Sequence, residues 1–156
     1  MAKKDPVIAS IMQLFPIKTK LSWPVFPLNT DGIDPYGSNI TIRNVEFRNW
    51  DDAVAVKPCD NLSYKIAKDG CSQDILVENA TVMFGVGMSI GSVSPSPNHK
   101  CVRRVTFKDI KFDYPIKAIY VKTNPGDSGS GEISDITYQN ITINNAIWYA
   151  IYIGPQ

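Results

Sequence analysis

The sequence predicts an all-β chain, a right-handed parallel β-helix of four to five coils, and three observations carry that prediction. A strand-like motif of alternating apolar and polar residues occurs four times: Ile40-Thr-Ile42-Arg-Asn44-Val-Glu-Phe47, Ile75-Leu-Val77-Glu-Asn79-Ala-Thr-Val82, Val105-Thr-Phe107-Lys-Asp109-Ile-Lys-Phe112 and Ile136-Thr-Tyr138-Gln-Asn140-Ile-Thr-Ile143. The motifs begin 35, 30 and 31 residues apart. A second, shorter run follows each one: Val54–Val56, Met88–Ile90, Ile119–Val121 and Ile151–Ile153, starting 14, 13, 14 and 15 residues after its partner. Paired strands recurring at this period, with no helical periodicity between them, are the signature of a solenoid whose coils bury one another.

Taken in order, residues 1–28 form an N-terminal segment and 29–156 the β-helix domain. Asp5 suits a helix N-cap and Pro6 the first helical position. Ile8, Ile11, Met12 and Phe15 then share one face, and Pro16 ends the run, so a short helix over 5–15 is expected to cap the solenoid. Residues 17–28, with Pro24 and Pro27, read as irregular.

The stretch from Asn29 to Lys57 concentrates the chemistry. It places Asp31 before the short run Gly32-Ile33-Asp34, and Asp51 and Asp52 before Ala53-Val54-Ala55-Val56. If those runs occupy neighbouring rungs, their starts lie about 4.8 Å apart and three carboxylates crowd one patch. Like charges that close do not all ionise freely, so one acid is held protonated beside an anion. Acid/base cleavage of a glycosidic bond needs that combination.

The repeat also maps the second sheet. Ile33, Val54, Met88, Ile119 and Ile151 are expected to stack inward as one buried ladder. Alternation then turns Asp34, Ala55, Ser89, Tyr120 and Tyr152 outward, with Lys57, Gly91, Lys122 and Gly154 two places on. Small residues would floor a shallow groove, walled by tyrosines for sugar faces and lysines for acid groups. Strict alternation buries Asp31 and Asp52, so the chain must bend there for both to reach that groove.

Four ordered motifs then carry a resemblance: NTDGID at 29–34, DD at 51–52 followed by AVAVK, GVGMSIGS at 85–92 and YVKT at 120–123. Together they resemble glycoside hydrolase family 28, the polygalacturonases and rhamnogalacturonases, over most of the chain from Asn29 to Gly154. The resemblance implies an inverting, pectin-degrading β-helix enzyme that acts on a galacturonate-containing polysaccharide. It matches Asp51 to the general acid, Asp31 and Asp52 to the pair holding the attacking water, and Lys122 to a substrate-binding lysine. Tyr120 and Lys57 complete the candidate substrate-binding set. Val86 stands where the family's G-H-G motif has histidine, and Tyr120 where its R-I-K motif has arginine, a bidentate carboxylate grip that lysine geometry does not reproduce. The competing reading is a non-catalytic β-helix fragment or a carbohydrate-binding relic of the same family.

The remaining features bound the partners. A net charge of +1 gives no argument for nucleic acid or an anionic membrane. No apolar run approaches the roughly 18 residues that span a bilayer. No phosphate loop, metal-ligand cluster or nucleophile triad is evident, so no cofactor and no metal are expected. Family resemblance implies an extracellular protein, although Lys3-Lys4 and the apolar residues after them are interrupted by Asp5, Pro6 and Gln13, unlike a clean leader. Three cysteines permit a loop-closing Cys59–Cys71 bridge, with Cys101 left over. Asn39, Asn61, Asn79 and Asn140 head Asn-x-Ser/Thr sites, and Asn79 and Asn140 equally suit structural turns because they recur at one place in the repeat. A last rung with bare edges is expected to self-associate.

Overall fold

The computed structural model describes residues 29–59, 70–125 and 128–156. The expected helix over 5–15 and the segment to residue 28 lie outside the described residues. The described residues form eight strands in order: β1 (Ser38–Arg48), β2 (Asp52–Val56), β3 (Cys71–Met83), β4 (Gly87–Val93), β5 (Lys100–Asp113), β6 (Lys117–Thr123), β7 (Gly131–Asn144) and β8 (Tyr149–Pro155). Long and short strands alternate along the chain and sort into two parallel four-stranded sheets, β1-β3-β5-β7 and β2-β4-β6-β8. The result is a right-handed parallel β-helix. Its register is the one the repeats predict: Ile40, Ile75, Val105 and Ile136 lie in one ladder, and Val54, Met88, Ile119 and Ile151 in another. Ile33 bridges Val54 and adds a partial rung.

The long strands bend to wrap the core. Asn39, Asp74, Arg104 and Asp135 hold φ between 50° and 60°, and so do Asn44, Asn79, Asp109 and Asn140 five residues later. Asn and Asp tolerate this left-handed conformation better than other side chains do. Each such residue breaks strict alternation. On β3, Ile75 and Val77 are buried, Glu78 and Asn79 both turn outward, and Ala80 and Val82 are buried again. The corner thus keeps the apolar set facing inward around the bend. Its residues also stack: Asn79 Nδ2 donates to Asn44 Oδ1 at 2.7 Å, and Asn140 Nδ2 to Asp109 Oδ1 at 2.6 Å. The turn role read from the repeat is therefore what these two asparagines perform.

The core between the sheets is a continuous apolar stack including Val54, Val77, Met88, Ile90, Phe107 and Phe112, each fully buried. Phe107 stacks on Tyr138, whose hydroxyl donates to the Met88 carbonyl across the interior at 3.1 Å. Two expectations need correction. Ile33 and Ile151 share the predicted ladder but are 38% and 57% exposed, because the outermost described rungs have a neighbour on one side only. Nor does Cys71 pair with Cys59. It is bridged to Cys101, its in-register neighbour on the next rung, and Cys59 remains a buried thiol.

Candidate active site

The site is assembled where two turns meet. Gly32 N–H donates to the Asp52 carbonyl at 2.9 Å and Ile33 N–H to the Ala53 carbonyl at 3.1 Å, which lays the Asn29–Ile33 segment along the start of β2. The Asn-Thr-Asp motif locks that contact. Asn29 N–H donates to Asp51 Oδ2 at 2.9 Å, and the Thr30 hydroxyl accepts from Trp50 N–H at 3.0 Å. Asn49 completes the knot, its Nδ2 lying 3.0, 3.0 and 2.8 Å from the carbonyls of Thr30, Asp51 and Asp52. The other side of the Asp51 turn rests on the next rung. Val86 N–H donates to the Asp51 carbonyl at 2.8 Å, and Trp50 stacks on Phe84 with centroids 4.7 Å apart. Gly85, at φ 66°, leaves no room for a side chain, since a Cβ there would lie 2.6 Å from the Asp51 carbonyl.

The bend that the sequence required is a β-bulge. Asp52 pairs with Gly87 and Val54 with Met88, so two residues of β2 oppose a single step of β4. Val54 stays in the core, while Asp52 reaches the face that carries Ser89 and Lys122. The Ser89 hydroxyl donates to Asp52 Oδ1 at 2.5 Å, and Lys122 Nζ is ion-paired with Asp52 Oδ2.

Asp31, Asp51 and Asp52 converge, one carboxylate oxygen of each lying within 4.8 Å of the others. They form a gradient: Asp31 exposed, Asp51 half-buried and Asp52 buried. Partial desolvation first, and then the charges of Asp51, Asp34 and Asp52, hold the Asp31 carboxyl above its ordinary range. Asp51 accepts two backbone N–H groups, from Asn29 and Asp52, one on each oxygen. The spacing of these oxygens is closer than the about 6.5–9.5 Å that separates acid from base in most inverting glycosidases.

The substrate-binding candidates divide. Tyr120 lies in register between Ser89 and Tyr152, as expected, but it is buried and packs edge-on against Tyr152 at 5.3 Å. Its hydroxyl is pushed up by burial, then by Tyr152 and Asp52. Lys122 is buried too and faces Asp52, with its ammonium 5.2 Å from the Tyr120 ring. Ala55 and Ser89 are fully covered, so no open floor runs through them here. Lys57 pairs with Asp34 at 3.6 Å, and among the described residues it makes no hydrogen bond or ion pair with the three acids. A cavity of about 280 Å³ beside Val93, Thr123, Asn124 and Ile133 touches none of these residues.

Three contributors escaped the sequence reading. Ser89 was legible only as a small residue, although a hydroxyl in the apolar run Gly87–Ile90 is the signal that it has a polar partner. Asn49 shows nothing beyond a turn-type residue before Trp-Asp-Asp. Lys117 stands outside the outward alternation of β6, yet its ammonium lies 3.7 Å from the Tyr120 ring centroid.

Comparison with known proteins agrees with this architecture. The family described as glycosyl hydrolases family 28 matches residues 9–156. The chain is 32% identical over 123 residues to an exopolygalacturonase of Platanus acerifolia, covering 78% of this chain and 29% of that protein. It is 35% identical over 126 residues to a polygalacturonase of Cochliobolus carbonum, covering 80% and 30%. It is 32% identical over 129 residues to an alpha-L-rhamnosidase, rgxB, of Aspergillus niger, covering 75% and 27%. The chain thus spans less than a third of the length of these relatives. No solved structure matches it. With the family match covering nearly all of the sequence, and the two-sheet solenoid and clustered acids beside it, the chain belongs to glycosyl hydrolases family 28.

Proposed function

We propose that this chain carries the acid/base centre of a hydrolase that cleaves glycosidic bonds in galacturonate-containing, pectic polysaccharide by single displacement. The observation that carries the reading is the convergence of Asp31, Asp51 and Asp52 at one turn, with graded exposure and one member neutralised by Lys122. One carboxyl gives its proton to the departing glycosidic oxygen. The other two flank the water that attacks the anomeric carbon, and one of them takes its proton. Asp52 is poorly placed to become a covalent nucleophile, because Ser89 and Lys122 occupy its two oxygens. That favours a water-mediated displacement despite the short spacing. The polygalacturonase names among the relatives support a pectic substrate, and the rhamnosidase leaves a rhamnose-bearing branch of pectin within range. A wall polymer as substrate entails secretion, and the Cys71–Cys101 bridge is compatible with an oxidising compartment.

Family resemblance gives the donor's role to Asp51. A second assignment rests on the raised Asp31 carboxyl, which inclines Asp31 to keep a proton. Leaving-group dependence separates the two. The variant that lacks the donor retains turnover of an activated aryl glycoside, which needs no protonation, while losing turnover of the natural polymer. Asp51→Asn is expected to behave this way; if Asp31→Asn does so instead, the roles exchange. The anomeric form of the first product, followed by NMR, tests single displacement, and a retained configuration would refute it.

A further inference from the structure

We infer that Lys117 is a carboxylate-binding, specificity-determining residue of this site, held ready by an aromatic cage to receive the acid group of a uronate sugar; this rests on the pectic reading above. Its ammonium lies 3.7 Å from the centroid of Tyr120, 4.5 Å from Tyr152 and 5.0 Å from Trp148. Rings at such distances attract a cation and fix where it sits. They do not neutralise it. Lys122 has Asp52, Lys57 has Asp34 and Lys111 has Asp113, whereas Lys117 makes no ion pair among the described residues. It is only partly exposed, so it has given up hydration without gaining a counter-ion.

The surroundings sharpen the point. Burial, and after it the neighbouring Lys122 charge, draw the Lys117 pKa below its ordinary value, with only Asp52 opposing them. A carboxylate arriving at Lys117 would relieve both causes together. The location is right for substrate: the Lys117 and Lys122 ammoniums flank the same Tyr120 ring, and Lys122 binds the innermost acid of the cluster. Trp148, at 62% exposure, and Tyr149 carry the aromatic surface outward from the cage, where the apolar face of a pyranose can lie. The cage thus reads the charge of the sugar, and the rings beyond it read its face.

The test is binding without turnover. In an Asp51→Asn background, affinities for oligogalacturonate and for its fully methyl-esterified counterpart are measured by calorimetry with and without Lys117→Gln. Loss of a charge-assisted contact predicts oligogalacturonate binding about tenfold or more weaker, with ester binding unchanged. Lys117→Arg, which keeps the charge, retains the preference for the free acid. The inference alone is overturned if oligogalacturonate binds the Lys117→Gln chain as before, if both ligands weaken equally, or if Lys117→Arg loses the preference. Failure of the Asp51→Asn parent to bind either ligand overturns the pectic reading and this inference with it.

Discussion

Lys122 on β6 reaches across β4 to pair with Asp52 on β2, and the two side chains are 5% and 1% exposed. A buried pair of this kind holds its partners in place more than it adds stability, because desolvation offsets much of the attraction. Breaking one side is a different matter. Lys122→Met strands the Asp52 carboxylate beside Ser89 and is expected to cost about 3–5 kcal/mol in urea denaturation. Asp52→Asn with Lys122→Met should recover part of that loss, since no unpaired charge remains. A Lys122→Met chain as stable as wild type would mean that the pair is not closed in solution.

The raised Asp31 carboxyl makes a claim about pH. Its folded pKa lies above the ordinary 3.8, so the native state holds this proton more tightly than the unfolded chain does. The linkage therefore runs against stability as pH rises: the penalty is absent below the ordinary value and complete once pH has passed the raised one. Asp31→Asn should gain stability relative to wild type as pH increases from about 4 to 7. Parallel denaturation series on the two proteins check this, and a constant difference across the range would refute it. Asp74, held low by Arg104, and Asp113, held low chiefly by Asn144 and then Lys111, act with the opposite sign in both proteins and cancel from the comparison.

Asn49 ties the carbonyls of Thr30, Asp51 and Asp52 with one amide, while its own Oδ1 is buried without a hydrogen-bond partner among the described residues. Asn49→Ala removes the donors and leaves three turn carbonyls less satisfied. A loss of about 1–3 kcal/mol is expected, with Asp51 and Asp52 less well placed and polymer cleavage reduced beyond what stability explains. Unchanged melting and unchanged turnover would show that the knot is dispensable.

Much of the solenoid could be read from residue spacing, and the reason is physical. Every coil presents the same apolar pattern to the same interior, so Ile40, Ile75, Val105 and Ile136 announce their register by their intervals. Asn79 and Asn140 announce a corner by recurring within it. The site was legible to the level of which acids meet. How Asp52 reaches Lys122 was not, because the bulge between Asp52 and Val54 arises from one strand set against another. The Lys117 cage was hidden for a similar reason: its rings come from β6, β8 and the turn between β7 and β8. Cysteine pairing followed rung adjacency, Cys71 over Cys101, rather than the shorter loop to Cys59.

Release of reducing ends from polygalacturonate and from rhamnogalacturonan, by wild type beside Asp51→Asn, tests the central claim most directly. The account predicts turnover of a galacturonate-bearing polymer, which Asp51→Asn reduces to background while the chain stays folded, its loss of stability limited to the one backbone N–H acceptor that the amide does not replace. Val86→His, which adds a hydrogen-bonding side chain behind the Asp51 turn, should raise the rate. A wild-type chain that binds oligogalacturonate yet releases no reducing ends anywhere between about pH 4 and 7 would contradict the account and leave a carbohydrate-binding β-helix in its place.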